Sequence, residues 1–278
     1  MPPERARTRL PAGMHTGVLI PDWDAPPGVC AAVTLRSLAG ASKAPFDACN
    51  LGTRCGDDVD AVTANRHGLE RALDLPSPPC WLRQMHGTQV AEFAGPIAPR
   101  SDVTAWGSEQ STDDAMEPEA DAAFTRADAT VLAILTADCL PILISAADGS
   151  AIAAVHAGWR GLAGGVIEAA VHAFGASGTP LLAWLGPGIG SMSYEVGDEV
   201  RAAFVDRKAD AARAFVPTRP GHWLCDLYEL ARLRLRALGV NRISGGGFDT
   251  CSDARFYSYR RDGRTGRFAT LIWRRPPA

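Results

Sequence analysis

The stretch VLAILTADCLPILISAADGSAIAAVHAGWRG, residues 131–161, decides the fold. Within it Val131 to Leu135, Pro141 to Ser145 and Ala151 to Val155 are apolar, β-rich runs of strand length, separated by polar or turn-forming residues. Ala147-Asp148-Gly149-Ser150 supplies the turn between the second and the third. With Asp148-Gly149 as a two-residue hairpin turn, Ala147 faces Ser150 and the register pairs Pro141 with His156. Cys139 then lies two residues from the partner of His156. Opposed residues sit roughly 5 Å apart and each residue along a strand adds about 3.3 Å, so a single ion can reach both side chains.

Outward from the hairpin, further strands are expected at Gly28 to Leu35, Leu181 to Leu185, Arg242 to Ser244 and Arg267 to Trp273. Helices are expected at Asp58 to Leu73, started by Asp57-Asp58, and at Leu162 to Phe174, Val196 to Phe204 and Leu227 to Leu238. Some strands pair as hairpins and others are joined by helices. That mixture predicts an α+β or mixed α/β chain, not a purely doubly wound sheet. No Gly-rich fingerprint follows the first strand, which disfavours a dinucleotide-binding fold. Residues 1–13, rich in Pro and Arg, read as a flexible segment ahead of one domain spanning 14–278, and residues 95–119 read as a long irregular loop, a lid or a disordered connection.

Cys139 and His156 gain a third soft ligand in His86, which ends the short apolar segment Trp81 to Met85. Two imidazoles and one thiolate leave a tetrahedral zinc one open position, the composition of a catalytic site. A blander reading stands beside it. A lone Cys after an apolar run is commonly a buried small hydrophobe, and a lone His beside Gly is commonly a turn residue. Gly186-Pro187-Gly188-Ile189-Gly190 follows an apolar strand, and its amides could cradle an anion, although it lacks the lysine and spacing of a P-loop. In Trp159-Arg160 the indole could stack on a base and the guanidinium clamp phosphate; alternatively Trp159 packs a corner and Arg160 caps carbonyls.

The ordered set Thr34-Leu35-Arg36, Asn50-Leu51-Gly52, Gln84-Met85-His86-Gly87, Thr136-Ala137-Asp138-Cys139-Leu140-Pro141, His156-Ala157-Gly158-Trp159-Arg160-Gly161, Tyr194-Glu195-Val196-Gly197 and Ser258-Tyr259-Arg260-Arg261-Asp262-Gly263 resembles the bacterial laccase-domain family. That family is also called YfiH-like or multicopper polyphenol oxidase-like, and is now regarded as purine nucleoside phosphorylases. Two places depart from its pattern. After Arg36 the chain reads Ser37-Leu38-Ala39-Gly40-Ala41-Ser42 where the family shows a Gly-Gly-Val-Ser type of sequence, and the family's Cys-Thr pair stands as Cys251-Ser252.

The resemblance implies a layered sandwich of mixed β-sheets flanked by helices. It implies a zinc-dependent phosphorylase for adenosine, inosine or 5′-methylthioadenosine, with inorganic phosphate as co-substrate and adenosine deamination as a related activity. His86, Cys139 and His156 would be the metal ligands. Arg36, Asn50 and Arg160 are expected at the substrate, and Asp138 either shuttles protons or orients a ligand histidine. One alternative makes Cys139 the nucleophile of an amide hydrolase acting in peptidoglycan precursor editing. Another is a copper polyphenol oxidase, although blue and trinuclear copper sites would consume more than the six histidines present. A fourth is a binding module without metal or turnover.

Composition is consistent with this and excludes other classes. With 278 residues, 46% of them hydrophobic, the chain can bury a large core. A formal net charge of −3 gives no electrostatic case for nucleic acid or an anionic membrane. Seven scattered cysteines do not form a disulfide framework, no run is long enough to cross a bilayer, and no signal-peptide core follows Met1, so a cytoplasmic enzyme is expected.

Overall fold

The computed structural model describes residues 17–98, 117–176 and 178–275. The flexible segment expected at 1–13, and most of the loop expected at 95–119, lie outside these residues. In chain order come β1 (Val18–Leu19), β2 (Val29–Thr34), α1 (Val59–Leu73), β3 (Pro79–Cys80), β4 (Val90–Phe93), β5 (Ala122–Thr125), β6 (Val131–Thr136), β7 (Leu140–Ala146) and β8 (Ile152–Ala157). Then follow α2 (Trp159–Gly164), α3 (Val166–His172), β9 (Leu181–Leu185), β10 (Glu195–Gly197), α4 (Asp198–Val205), β11 (Phe215–Pro217), β12 (His222–Cys225), α5 (Leu227–Ala237), β13 (Arg242–Gly245), α6 (Tyr259–Asp262) and β14 (Phe268–Arg274).

Two mixed sheets carry the fold. The first runs β1-β2-β14-β6-β3 and the second β13-β9-β7-β8-β5-β4; β10-β12-β11 form a small antiparallel sheet beside them. Side chains alternate across β6: Leu132 and Ile134 point into an inter-sheet core with Leu143 and Trp184, while Val131 and Ala133 point outward to Leu69 and Leu73 of α1. On β7 the same alternation sends Ile142 and Ile144 to the helices, against Leu162, Ile167 and Leu230. The layers are therefore helix, sheet, sheet, helices. Both faces of β6 and β7 are covered, which is why these strands read as unbroken apolar runs.

The β7–β8 hairpin pairs Pro141 with His156, the register read from the turn. Asp58 caps α1 through its carboxylate, which accepts from the Asp60 amide. Elsewhere local geometry redraws the expectation. The helix foreseen over 162–174 is two helices, broken where Gly165 takes a left-handed φ of 107°. The helix foreseen from Val196 begins at Asp198, because Glu195 to Gly197 pair with β12.

The chain passes from the first sheet to the second at two places. Residues 137–139 link β6 to β7, and residues 81–89 link β3 to β4. Each crossing carries one of the expected ligands.

Candidate metal centre

His86, Cys139 and His156 converge: each offers one ligand atom, and these atoms lie within 4.8 Å of one another. Among the described residues this is the one such cluster of three or more His, Cys, Asp or Glu side chains. Cys139 Sγ is 3.9 Å from His86 Nε2, and the two imidazole rings meet edge to face with centroids 4.8 Å apart. Local backbone turns aim them. His86 has φ 60° and Asp138, just before Cys139, has φ 98°, conformations that cost an L-residue on the order of 1–3 kcal/mol each and persist only where the surroundings enforce them. Gly158, after His156, keeps its bare Cα against both other ligands: a Cβ there would lie 2.9 Å from Cys139 Sγ and 3.0 Å from His86 Cδ2.

Two side chains pin the His86 segment. Gln84 binds Leu135 at the end of β6 from both sides, its Nε2 donating to the carbonyl and its Oε1 accepting from the amide, each at 2.8 Å. Asp121, 1% exposed, accepts from the backbone N–H groups of Met85, His86 and Gly87 at 3.2, 2.8 and 2.6 Å. The same carboxylate binds His156 Nδ1 at 2.8 Å. That contact leaves Nε2 of His156 to face a metal, the carboxylate–histidine arrangement that fixes tautomer and ring plane. The orienting role expected of Asp138 thus belongs to Asp121. Asp138 instead accepts from Thr250 Oγ1 at 2.6 Å and from the Arg260 amide at 2.7 Å.

The electrostatics follow from burial and from these contacts. Burial pushes the Cys139 thiol up, but His156 and His86 outweigh it and bring it well below the ordinary thiol range. Burial pushes the His156 imidazole down, yet Cys139 and Asp121 raise it above its usual value. Asp121 would likewise be raised by burial, and His156 with the Gly87 and His86 amides holds it below the usual carboxylate range. A thiolate beside two imidazoles backed by a carboxylate is a donor set that fits a tetrahedral divalent ion with one position left open.

A cavity of about 590 Å³ opens over these ligands, within the size range of small-molecule sites. Asp138, Trp159, Arg160, Tyr194, Arg260 and Arg267 are on its wall. Trp159 also packs against the helix-side core, and Arg160 stacks on its ring at 4.4 Å. Glu117, its side chain 6% exposed, closes another side by pairing with Arg54 and Arg66.

Arg36 and Asn50, expected at the substrate, are not on this wall. Arg36 pairs with Asp47 and Asp262 and lies over the Tyr257 ring. Asn50 is fully buried; its Oδ1 accepts from the amides of Gly52 and Arg267, and its Nδ2 donates to Asp57. It shapes the Gly52 to Cys55 loop from behind, and that loop does reach the cavity. The Gly186 to Gly190 amides are not free for an anion either. Gly186, Ile189, Gly188 and Gly190 donate respectively to the Pro141 carbonyl, the Asp138 carbonyl, the Tyr228 hydroxyl and the Asp249 carboxylate.

Asp121 is the residue that sequence reasoning missed. It is in register with His156 across the β5–β8 pair, one step beyond Ala122 opposite Val155, so reading β5 as a partner of β8 would have found it.

Comparison with known proteins agrees with this architecture. A family model described as multi-copper polyphenol oxidoreductase laccase matches residues 30–275. A Xylella fastidiosa (strain Temecula1) protein named purine nucleoside phosphorylase is 53% identical over 262 residues, covering 92% of this chain and 96% of its own. The Escherichia coli K12 purine nucleoside phosphorylase YfiH is 43% identical over 260 residues, covering 92% and 98%. Among solved structures, a Neisseria meningitidis protein of the family DUF152 superposes with a TM-score of 0.82 at 38% identity, covering 94% of this chain and all of that one. YlmD from Geobacillus stearothermophilus gives 0.76 at 31% identity, over 90% and 93%. On a match that runs from β2 to the end of β14, the chain belongs to the YfiH family of laccase-like proteins.

Proposed function

We propose that this chain is a zinc-dependent purine nucleoside phosphorylase, converting a purine nucleoside and inorganic phosphate to free base and ribose 1-phosphate. The observation that carries the reading is the convergence of His86, Cys139 and His156 on the wall of a cavity of small-molecule size. The name borne by relatives up to 53% identical supports the substrate class. Two nitrogens and one sulfur suit zinc, a borderline-soft ion; copper oxidase chemistry calls for several ions, and among the described residues there is one such cluster. Zinc would supply Lewis acidity at its open position.

The chain's own groups do the rest. Trp159 offers the purine an aromatic face, and Arg160 offers phosphate a bidentate donor pair. Asp138, on the wall, accepts one hydrogen bond at each oxygen and keeps a further lone pair on each, which suits a proton carrier. Arg36 and Asn50 contribute by holding the loops around the cavity. Cleavage of the glycosidic bond builds positive charge at C1′, which an anion held beside it stabilises.

Inosine or adenosine incubated with the purified protein should yield hypoxanthine or adenine only when phosphate is present, with ribose 1-phosphate in equal amount. Base release indifferent to phosphate would refute phosphorolysis. Ammonia release from adenosine in the same reaction reads deamination.

The lowered Cys139 thiol favours one second reading, an amide hydrolase in which the thiolate is the nucleophile, as in peptidoglycan precursor editing. Coordination to zinc would quench it. Alkylation of Cys139 by iodoacetamide in the metal-replete protein separates the two readings.

A further inference from the structure

Four arginines line the cavity over the metal ligands: Arg54, Arg160, Arg260 and Arg267. Their partners divide them. Arg54 is paired with Glu117, and Arg267 donates through Nη1 to the carbonyls of Thr265 and Gly266. Arg160 and Arg260 make no ion pair with a carboxylate among the described residues; what each has instead is an aromatic ring. Arg160 lies over Trp159 at 4.4 Å and Arg260 over Tyr194 at 5.2 Å. Stacking of this kind holds the guanidinium plane without neutralising its charge.

Arg260 is held further. Its amide donates to Asp138, and its Nη1 donates to the carbonyls of Ser193 and Glu195, which leaves Nε and Nη2 for a ligand. A second cavity of about 420 Å³ adjoins the first and shares Trp159, Arg160, Tyr194 and Arg260 with it. Two guanidinium groups with no ion pair among the described residues therefore stand at the junction of two chambers. Tyr194 is on the wall of both chambers, and its hydroxyl has no hydrogen-bond partner among the described residues. A phenol is protonated at neutral pH, and burial raises this one further, so it can donate.

Two planar forks and one hydroxyl donor match a tetrahedral dianion, whose oxygens can accept from several directions; a carboxylate would occupy only one fork. We propose that Arg160, Arg260 and the Tyr194 hydroxyl form the subsite for inorganic phosphate, at the junction of the two cavities. This rests on the phosphorolytic reading above and assigns its second substrate. An oxygen of hydrogen phosphate held there forms the bond to C1′ as the C1′–N9 electron pair leaves with the purine. The proton that phosphate loses equals the one the base gains, so the exchange balances with no further reactant.

Steady-state kinetics on the metal-replete protein, varying phosphate and inosine separately, test the assignment. A lost charge-assisted contact is worth about 1.5–3 kcal/mol. Arg160→Gln and Arg260→Gln should therefore each raise the KM for phosphate about tenfold or more, with the KM for inosine held within about twofold and metal content unchanged. Arg260→Lys should recover part of the loss, since it keeps the charge but not the fork. An unchanged phosphate KM in the double Gln variant, or a parallel rise in both KM values, would overturn the assignment.

If the unsubstituted protein releases base without phosphate, the phosphorylase reading itself has failed. Calorimetric titration with inorganic phosphate alone then still tests the subsite: binding by the unsubstituted protein that the double variant lacks supports it, and equal binding or none overturns it. Inosine 5′-monophosphate supplies the last arm. Tighter binding than inosine, with the advantage gone in the double variant, would hand the subsite to a nucleotide's phosphoryl group and overturn the assignment to free phosphate.

Discussion

Asp121→Asn changes one oxygen to an amide nitrogen at almost constant volume, and the structure says what that must do. Oδ1 accepts from the His86 amide and His156 Nδ1, and Oδ2 accepts from the Met85 and Gly87 amides. Whichever way the new carboxamide is turned, its NH₂ faces two N–H donors. Two of the four hydrogen bonds are lost as they stand: either the Met85 and Gly87 amides or the His86 amide and His156 Nδ1–H lose their acceptor. At about 1.5–3 kcal/mol for each bond to a charged acceptor, the total is about 3–6 kcal/mol, divided between folding and metal binding. If the NH₂ faces His156, the imidazole has to present Nδ1 as an acceptor and carry its proton on Nε2, where the ion should be. Removing such a backing carboxylate typically costs 10–100-fold in metal affinity. Competition with a chromophoric chelator should show that drop, and urea unfolding should show a lower midpoint. A variant that holds the ion as tightly as the parent and unfolds at the same urea concentration would refute the argument.

Gly158→Ala should weaken metal binding about tenfold or more while leaving the fold's unfolding midpoint nearly unchanged, because the atoms the added methyl meets first are Cys139 Sγ and His86 Cδ2; chelator competition beside urea unfolding reads both. Cys139→Ala should remove both bound zinc and base release, as elemental analysis and the nucleoside assay will show; activity lost with zinc retained would instead favour the nucleophile reading. Asp249 bears on acid stability. Burial would raise it, but hydrogen bonds from Ser193, Gly190, Ser252 and Cys251 hold it below the ordinary carboxylate value. A depressed folded value means the contribution is complete above about pH 3.9 and is lost as pH falls through the folded value. Asp249→Asn should therefore flatten the acid limb of a plot of unfolding midpoint against pH, and an unaltered limb would contradict this.

What was legible in the sequence was local. Cys139 and His156 share one hairpin, whose turn residues set the pairing, so their proximity follows from counting along two strands. The turn itself differs in detail: Gly149 takes the left-handed conformation and Asp148 does not, yet the register is the same. His86 could be named but not placed, since the crossing that carries it is positioned by the bonds of its own Gln84 to Leu135 of β6 and by Asp121, just before β5. Asp121 itself was hidden because its contact with His156 depends on a β5–β8 pairing between strands that β6 and β7 separate in the sequence. The small sheet of β10, β11 and β12 escaped because its strands are short and contain Pro217 and several polar residues. The Gly186 to Gly190 segment misled for the opposite reason: a glycine-rich turn advertises its amides, and only tertiary partners such as Tyr228 and Asp249 reveal that they are already engaged.

The two crossings from the first sheet to the second have a mechanical meaning. His86 rides on one and Cys139 on the other, while His156 ends a strand wholly within the second sheet. An ion gripping all three would act as a rivet through the sandwich, with a shear of one layer over the other felt as a stretch between sulfur and nitrogen. Ligand spacing in this protein would then gauge how the layers sit on each other, and residues of the inter-sheet core such as Ile134 and Leu143, which are not on the cavity wall, would help to set it.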